Sequence, residues 1–179
     1  MVLAIHSDAS YISEIKARSR AGGHFFLSDR SENPPNNGAV INVAQIIRNV
    51  MTSAADAEIG ALYINSRQAI PARYTIEEMG HKQPPTPMQT DNTTALGFVT
   101  KNLQPKATKS TDMKHWFMRD RQDRQQFRYY WGYGKNNDGD YQSRHFCGAH
   151  HTEKRPRYLT PRETLDALRS ALGKSPHKF

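Results

Sequence analysis

Apolar residues fall first in short extended runs and later at helical spacing, and that switch predicts most of the elements. The opening VLAIHSDAS is an apolar run stopped by small polar residues, which predicts a strand over 2–10 ending in a turn, with Asp8 at its end. After Arg18, Ser19 and Arg20, the pair Gly22 and Gly23 leads into HFFLSD, a strand that should form a hairpin with the first. Asn33 to Gly38 predicts a loop, and the loose alternation and β-branched residues of 40–51 a third strand. Thr52 or Ser53 can cap a helix over 54–70 with apolar positions at Ile59, Leu62 and Tyr63. Pro71, acceptable in a first turn, predicts a second helical piece that ends near Gly80 before the breaker HKQPPTP. A short strand at 88–90 should deliver Asp91, followed by a helix over 92–99, a basic loop over 101–110, a helix over 111–124 and an aromatic strand over 126–131. Near the end, Thr160 and Glu163 make a capping box with Pro161 at the first helical position, and Leu165, Leu168 and Leu172 line one face. The final GKSPHKF reads as a frayed tail. This order of elements predicts an α/β fold with a mixed sheet.

At 179 residues the chain is the size of one domain, expected over 1–159, with 160–179 a C-terminal helix and tail. Only 36% of it is hydrophobic, so the core should be thin. Lys and Arg number 25 against 17 Asp and Glu, a formal charge of +8 that points to a polyanionic partner, nucleic acid first. No apolar run approaches the roughly 18 residues of a membrane span, and the first residues lack a signal peptide's apolar stretch, so no membrane contact and no secretion are expected. The single cysteine, Cys147, rules out an internal disulfide and fits a reducing compartment.

Four acids stand at defined points: Asp8 and Asp91 at strand ends, Glu58 inside a helix, and Asp140 in a turn after a strand. Each alone has an ordinary role, Asp8 as a turn former, Asp91 and Asp140 as helix N-caps, and Glu58 in a salt bridge or at a helix dipole. Helical spacing, however, sets Glu58 beside Ala54, Ala61 and Leu62, at the border of the packed face, where a carboxylate needs a partner. Four converging carboxylates would repel one another, whereas two Mg²⁺ ions would neutralise them and accept their oxygens. Two such ions about 3.5–4 Å apart can activate a water and stabilise the leaving oxygen of an in-line phosphodiester displacement.

In order, HSDASY, RSRAGG, TSAADAEIGALYI, QTDNTTALGFV, KSTDMKHWFMRDR and YYWGYGKNNDGDY resemble the blocks of copia-type retrotransposon ribonuclease H. The resemblance runs from about Leu3 to Leu159, and AEIGAL and TDNTTAL are its most specific blocks. It implies a ribonuclease H-like fold, with a five-stranded mixed sheet whose first three strands are antiparallel, flanked by helices. It implies that Asp8, Glu58, Asp91 and Asp140 are catalytic and bind two Mg²⁺, for which Mn²⁺ can substitute. The activity implied is hydrolysis of the RNA strand of RNA–DNA hybrids during reverse transcription, leaving a 3′-hydroxyl and a 5′-phosphate. The implied partners are the hybrid and the reverse transcriptase domain of the same polyprotein, in a cytoplasmic virus-like particle or the nucleus. The last block departs from the family's Asn-Leu-Ala-Asp-Tyr-(aromatic)-Thr-Lys. Asp138 competes with Asp140 there, the Tyr after Asp140 favouring the latter, and Gly139 in place of Ala is expected to loosen the helix start. Cellular relatives carry a His in the loop before that Asp, and 134–137 has none, which predicts slower product release rather than inactivity. A non-catalytic hybrid-binding module is the rival from another class. An integrase-like strand transferase fits less well, because those enzymes use a late Glu where this chain has Asp140.

Lys101, Lys106, Lys109 and Lys114, followed by Arg119, Arg121, Arg124 and Arg128, form a basic stretch expected to track phosphates rather than only face solvent. Asn92, Ser10 and Arg20 are candidates for reading sugars in the minor groove, where 2′-hydroxyls mark RNA. His145, Cys147, His150 and His151 offer four zinc donors, but adjacent histidines suit one tetrahedral site poorly, and loop or phosphate-contact histidines are expected instead. Asp112 should be structural, and Trp116, Tyr129, Tyr130 and Trp131 core or sheet residues rather than stacking platforms.

Overall fold

The run from Val2 to Asp8 is buried at every position, as a strand covered on both faces must be. A computed structural model describes residues 1–100 and 109–171, with backbone alone at 109–112, 162, 165, 168, 169 and 171. In it β1 (Val2–Glu14) runs beyond the expected end at residue 10, so Asp8 lies inside the strand, and it turns back through 15–17 into β2 (Arg18–Ser28), paired antiparallel from Val2–Ser28 to Ser10–Arg20. Gly22 and Gly23 lie inside β2, opposite Asp8 and Ser7, rather than at a turn. β3 (Ala39–Ile46) pairs antiparallel with β2 and ends earlier than its sequence pattern predicts. Ile47 and Met51 instead drop into a small buried cluster with Ala21, Ala57 and Ala61.

Ser53 caps α1 (Ala54–Glu78), its hydroxyl accepting the Asp56 N–H. The break expected at Pro71 does not occur, and one 25-residue helix runs through it. Pro71 is exposed, so its missing N–H lies on the solvent side, while Ala69 and Arg73 on the opposite side are buried. Arg73 donates to Pro84 O at 2.7 Å and Thr86 Oγ1 at 2.6 Å, which ties the second half of the helix to the next strand. Tertiary contacts therefore outweigh the lost backbone bond.

β4 (Thr86–Thr90), α2 (Thr93–Thr100), α3 (Lys109–Asp123) and β5 (Phe127–Trp131) follow. The sheet order is β3-β2-β1-β4-β5, with β4 and β5 parallel to β1. One face buries Leu3, Ile5, Phe25, Met88 and Phe127 against Leu62 of α1, Val99 of α2 and Met118 of α3. Each such side chain stabilises the fold by roughly 1.5–3 kcal/mol. The other face, carrying His6, His24 and Phe26, meets α4 (Asp140–Ser143) and Tyr158 of α5 (Gly148–Leu159), and α6 (Arg162–Ala171) follows against α5. No helix was expected over 148–159. Its only buried residue is Tyr158, which stacks edge-on to His24, so GAHHTEKRPRYL carries no apolar stripe. α6 begins within two residues of the predicted cap, while the side chains of Leu165 and Leu168, Leu172 and the tail lie outside the described residues.

Tyr129, Tyr130 and Trp131 lie in β5 as the expected sheet residues, whereas Trp116 on α3 is exposed and joins neither core nor sheet. Among the described residues no helix is long and apolar enough to cross a membrane.

Candidate metal centre

Parallel pairing sets the first two acids side by side. β1 and β4 pair at Ile5–Met88 and His6–Gln89, and the same register carried onward sets Asp8 level with Asp91. Glu58 comes from the first turns of α1, where its Oε1 accepts the Ala9 N–H at 3.1 Å. The three side chains each offer an oxygen within 4.8 Å of the others, the one group of metal-capable side chains found among the described residues.

Burial dominates the electrostatics of this group. Asp8 is 2% and Glu58 7% exposed. Burial, with Asp140 and Asp91 close by, pushes the Asp8 carboxyl up to about 7, against the opposing pull of the Ser143 hydroxyl and of Arg144. Burial, with Asp8 and Asp91 beside it, pushes Glu58 up to about 9 despite the Ala9 N–H. Asp91, half-buried, is raised for the same first reason and by Asp140. The second oxygen of Glu58 is buried without any hydrogen-bond partner. An acceptor left over in a buried set of three carboxylates is what a divalent cation with oxygen ligands would complete, so the residues fit such an ion.

The last block closes over this group from the other face of the sheet. Asn137 donates to Ser7 O at 2.8 Å and accepts the Gly139 N–H at 3.0 Å. A Cβ on Gly139 would stand 2.9 Å from His6 O and 3.0 Å from Asp8 N, so glycine here permits the close approach instead of loosening the helix start. Gly22 is needed for the same reason, since a Cβ there would lie 2.3 Å from Gly139 O. Asp140 then opens α4, near enough to raise both Asp8 and Asp91, while its Oδ1 accepts from Arg144 Nε at 2.6 Å. It lies outside the tight group of three. Asp138 faces the other way: it is 4% exposed, pairs with Arg157 at 2.6 Å and His6 at 3.5 Å, and its carbonyl accepts the Tyr158 hydroxyl at 2.8 Å. Of the two competing acids, Asp140 is therefore the one beside the centre.

Ser143 and Arg144 were not singled out by sequence. Ser143 donates to Asp8 Oδ2, and Arg144 favours the charged forms of Asp8, Glu58 and Asp91. Their offsets of three and four from Asp140 would have been the signal, since those positions share a helical face.

Other candidates are distributed differently. Ser10 is buried and donates to Ser143 O at 2.6 Å, and Arg20 pairs with Glu14 at 2.6 Å, so both brace the hairpin around the centre. Asn92 caps α2, accepting from Thr94 N at 2.9 Å and Ala95 N at 3.0 Å. Lys114 is half-buried on α3, Lys101 and Lys106 lie outside the described residues, and so does the side chain of Lys109, as does that of Asp112. Arg119 and Arg124 pair with Asp123 and Asp120. The zinc candidates separate: His145 meets Glu14 at 3.1 Å, His151 meets the Tyr141 hydroxyl at 2.6 Å, His150 stacks on Phe146 at 4.0 Å, and Cys147 is exposed.

No protein-family model and no curated protein matches the sequence. Solved structures do. LC11-RNase H1, isolated from compost by a metagenomic approach, superimposes with a TM-score of 0.54 at 12% identity, over 79% of this chain and 91% of that one. The N-terminal RNase H domain of Rv2228c from Mycobacterium tuberculosis superimposes with a TM-score of 0.51 at 13% identity, over 80% of this chain and 96% of that one. The chain has the ribonuclease H-like fold, with the expected five-stranded mixed sheet and its first three strands antiparallel.

Proposed function

We propose that this chain is a ribonuclease H that hydrolyses the RNA strand of RNA–DNA hybrids with two divalent cations, in a copia-type retroelement. The observation that carries the reading is the group of buried Asp8 and Glu58 with half-buried Asp91, an unpartnered Glu58 oxygen among them, where β1 and β4 run parallel side by side. Asp8, Glu58, Asp91 and Asp140 would hold the ions, Mg²⁺ by preference and Mn²⁺ as a substitute. Such ions lower the pKa of water and neutralise charge at a phosphodiester. The Ser143 hydroxyl opposes the burial that raises Asp8 and so favours its charged, ligating form. Ala9 N–H fixes one oxygen of Glu58 and leaves the other for a ligand. Arg144 orients Asp140 and adds positive charge where a phosphate would arrive.

The substrate strand would meet Asn92 and Arg20, and the duplex the lysines at 101, 106, 109 and 114, with Ser10 supporting the site from beneath. Phosphate contacts carry no sequence information, so cleavage should be nearly sequence-independent and sensitive to salt. The same reading implies a reverse transcriptase domain as partner and a cytoplasmic particle or the nucleus as location. The test is a labelled hybrid incubated with Mg²⁺ or Mn²⁺, beside Asp8→Asn and Asp91→Asn. Cutting by the parent that both variants lack is the expected result, and a parent that never cuts overturns the enzyme.

A second reading, a hybrid-binding module that has lost one ion, draws on a specific contact. The Asp140 carboxylate is already held by Arg144 at 2.6 Å and stands apart from the group of three. Binding of hybrid with no cutting in either metal would favour it.

A further inference from the structure

A cleft of about 320 Å³ opens beside Asp140, between α5 and the loop that precedes α4. No described residue of the basic stretch expected from sequence to track phosphates lines it. The cleft is lined instead by Lys135 from the loop and by His150, Lys154 and Arg157 from α5, with the Tyr141 ring among them. Steps of four and three along α5 place those three side chains on one helical face, directed into the cleft. The cations are not equally available. Arg157 is occupied by the buried Asp138 at 2.6 Å. Lys154 has only an exposed neighbour, Glu153, at 3.5 Å, a pair worth little in water. Lys135 is exposed and has neither an ion pair nor a hydrogen bond among the described residues. One available ammonium group therefore comes from each wall. Tyr141 stacks on Tyr158 with ring centres 4.5 Å apart, so its ring is held in place. The volume is that of a pocket for a small ligand, and its border with the acidic centre is Asp140 itself.

We propose that this cleft is a nucleotide subsite, in which Lys135 and Lys154 hold a backbone phosphate of the strand being cut, next to the phosphodiester at the acidic centre. The inference rests on the ribonuclease reading, because it is the strand crossing the carboxylates that continues past Asp140. Two cations converging beside an aromatic ring suit a nucleotide unit, with the phosphate between the ammonium groups and the sugar alongside the fixed Tyr141 ring.

The test measures binding of a fluorescent RNA–DNA hybrid as a function of salt, with Ca²⁺ replacing Mg²⁺. The parent is compared with Lys135→Ala/Lys154→Ala, with Lys135→Arg/Lys154→Arg, and with Lys82→Ala/Arg124→Ala as a control of equal charge elsewhere. The expected result is a slope of log affinity against log salt reduced by about one in the subsite alanine pair, because each phosphate contact contributes roughly 0.9. The arginine pair should keep the parent's slope, and the control should change it less than the alanine pair. Equal slopes for the subsite and control pairs overturn the subsite while leaving the ribonuclease reading in place. A parent that binds no hybrid overturns both.

Discussion

Ser143 donates its hydroxyl proton to Asp8 Oδ2 from 135 positions further along the chain, and it is itself wholly buried. The bond favours the ionised carboxylate, against the burial that pushes Asp8 up to about 7. Ser143→Ala leaves burial unopposed, so the Asp8 pKa rises further and the acid limb of the cleavage profile moves to higher pH. A hydrogen bond to a charged group contributes about 1.5–3 kcal/mol, so cleavage at neutral pH should fall about tenfold or more. A pH–rate profile checks this, and Ser143→Thr should restore the limb.

Protonation of the acidic group links pH to stability. Asp8 and Glu58 have folded-state values of about 7 and about 9, above their ordinary 3.8 and 4.5. The folded state therefore holds protons that the unfolded chain has released. The stability these groups allow is complete below pH 3.8 and is lost as pH rises through about 7 for Asp8 and about 9 for Glu58. Thermal melts of metal-free protein should show Tm falling across that window. Glu58→Gln should flatten the fall, and Mg²⁺ should raise the Tm of the parent most at the alkaline end.

Asp138 and Asp140 are two residues apart and should fail differently. Asp138→Ala leaves Arg157 without its partner and removes support from His6, for a loss of about 2–3 kcal/mol read by denaturant melts. Asp140→Asn should leave stability within about 0.5 kcal/mol, because its one ion pair, to Arg144, is partly exposed, and should sharply reduce hybrid cleavage.

Gly22→Ala tests the close approach of the last block to the sheet. Its Cβ would meet Gly139 O at 2.3 Å and Ser143 N at 2.7 Å, both backbone atoms that cannot swing aside. The expected cost is about 1–3 kcal/mol by overpacking, with Asp140 displaced and metal affinity lowered together. Calorimetry with Mg²⁺ reads the second effect.

The parts of the fold that could be read from sequence were those governed by local patterns. The buried run of β1, the Ser53 cap and the aromatic β5 each announce themselves within a few residues. Pro71 misled because a local rule was overridden by distant contacts through Arg73. α5 was invisible because it is held by Tyr158 and ion pairs rather than by an apolar stripe. At the candidate centre, the spacing of Glu58 in its helix placed it at the border of the packed face, where it stands. The Tyr after Asp140 already favoured it over Asp138, and the physical reason, His6 and Arg157 packed behind Asp138, comes from distant segments.

Asn137, Gly139 and Ser143 all close onto β1 from about 130 positions further along the chain. During synthesis Asp8, Glu58 and Asp91 are made before Asp140 and Ser143. Because a growing chain folds from its amino end, the acidic centre is completed only once residues about fifty positions beyond Asp91 have emerged, and a chain cut before them lacks the hydroxyl that opposes protonation of Asp8.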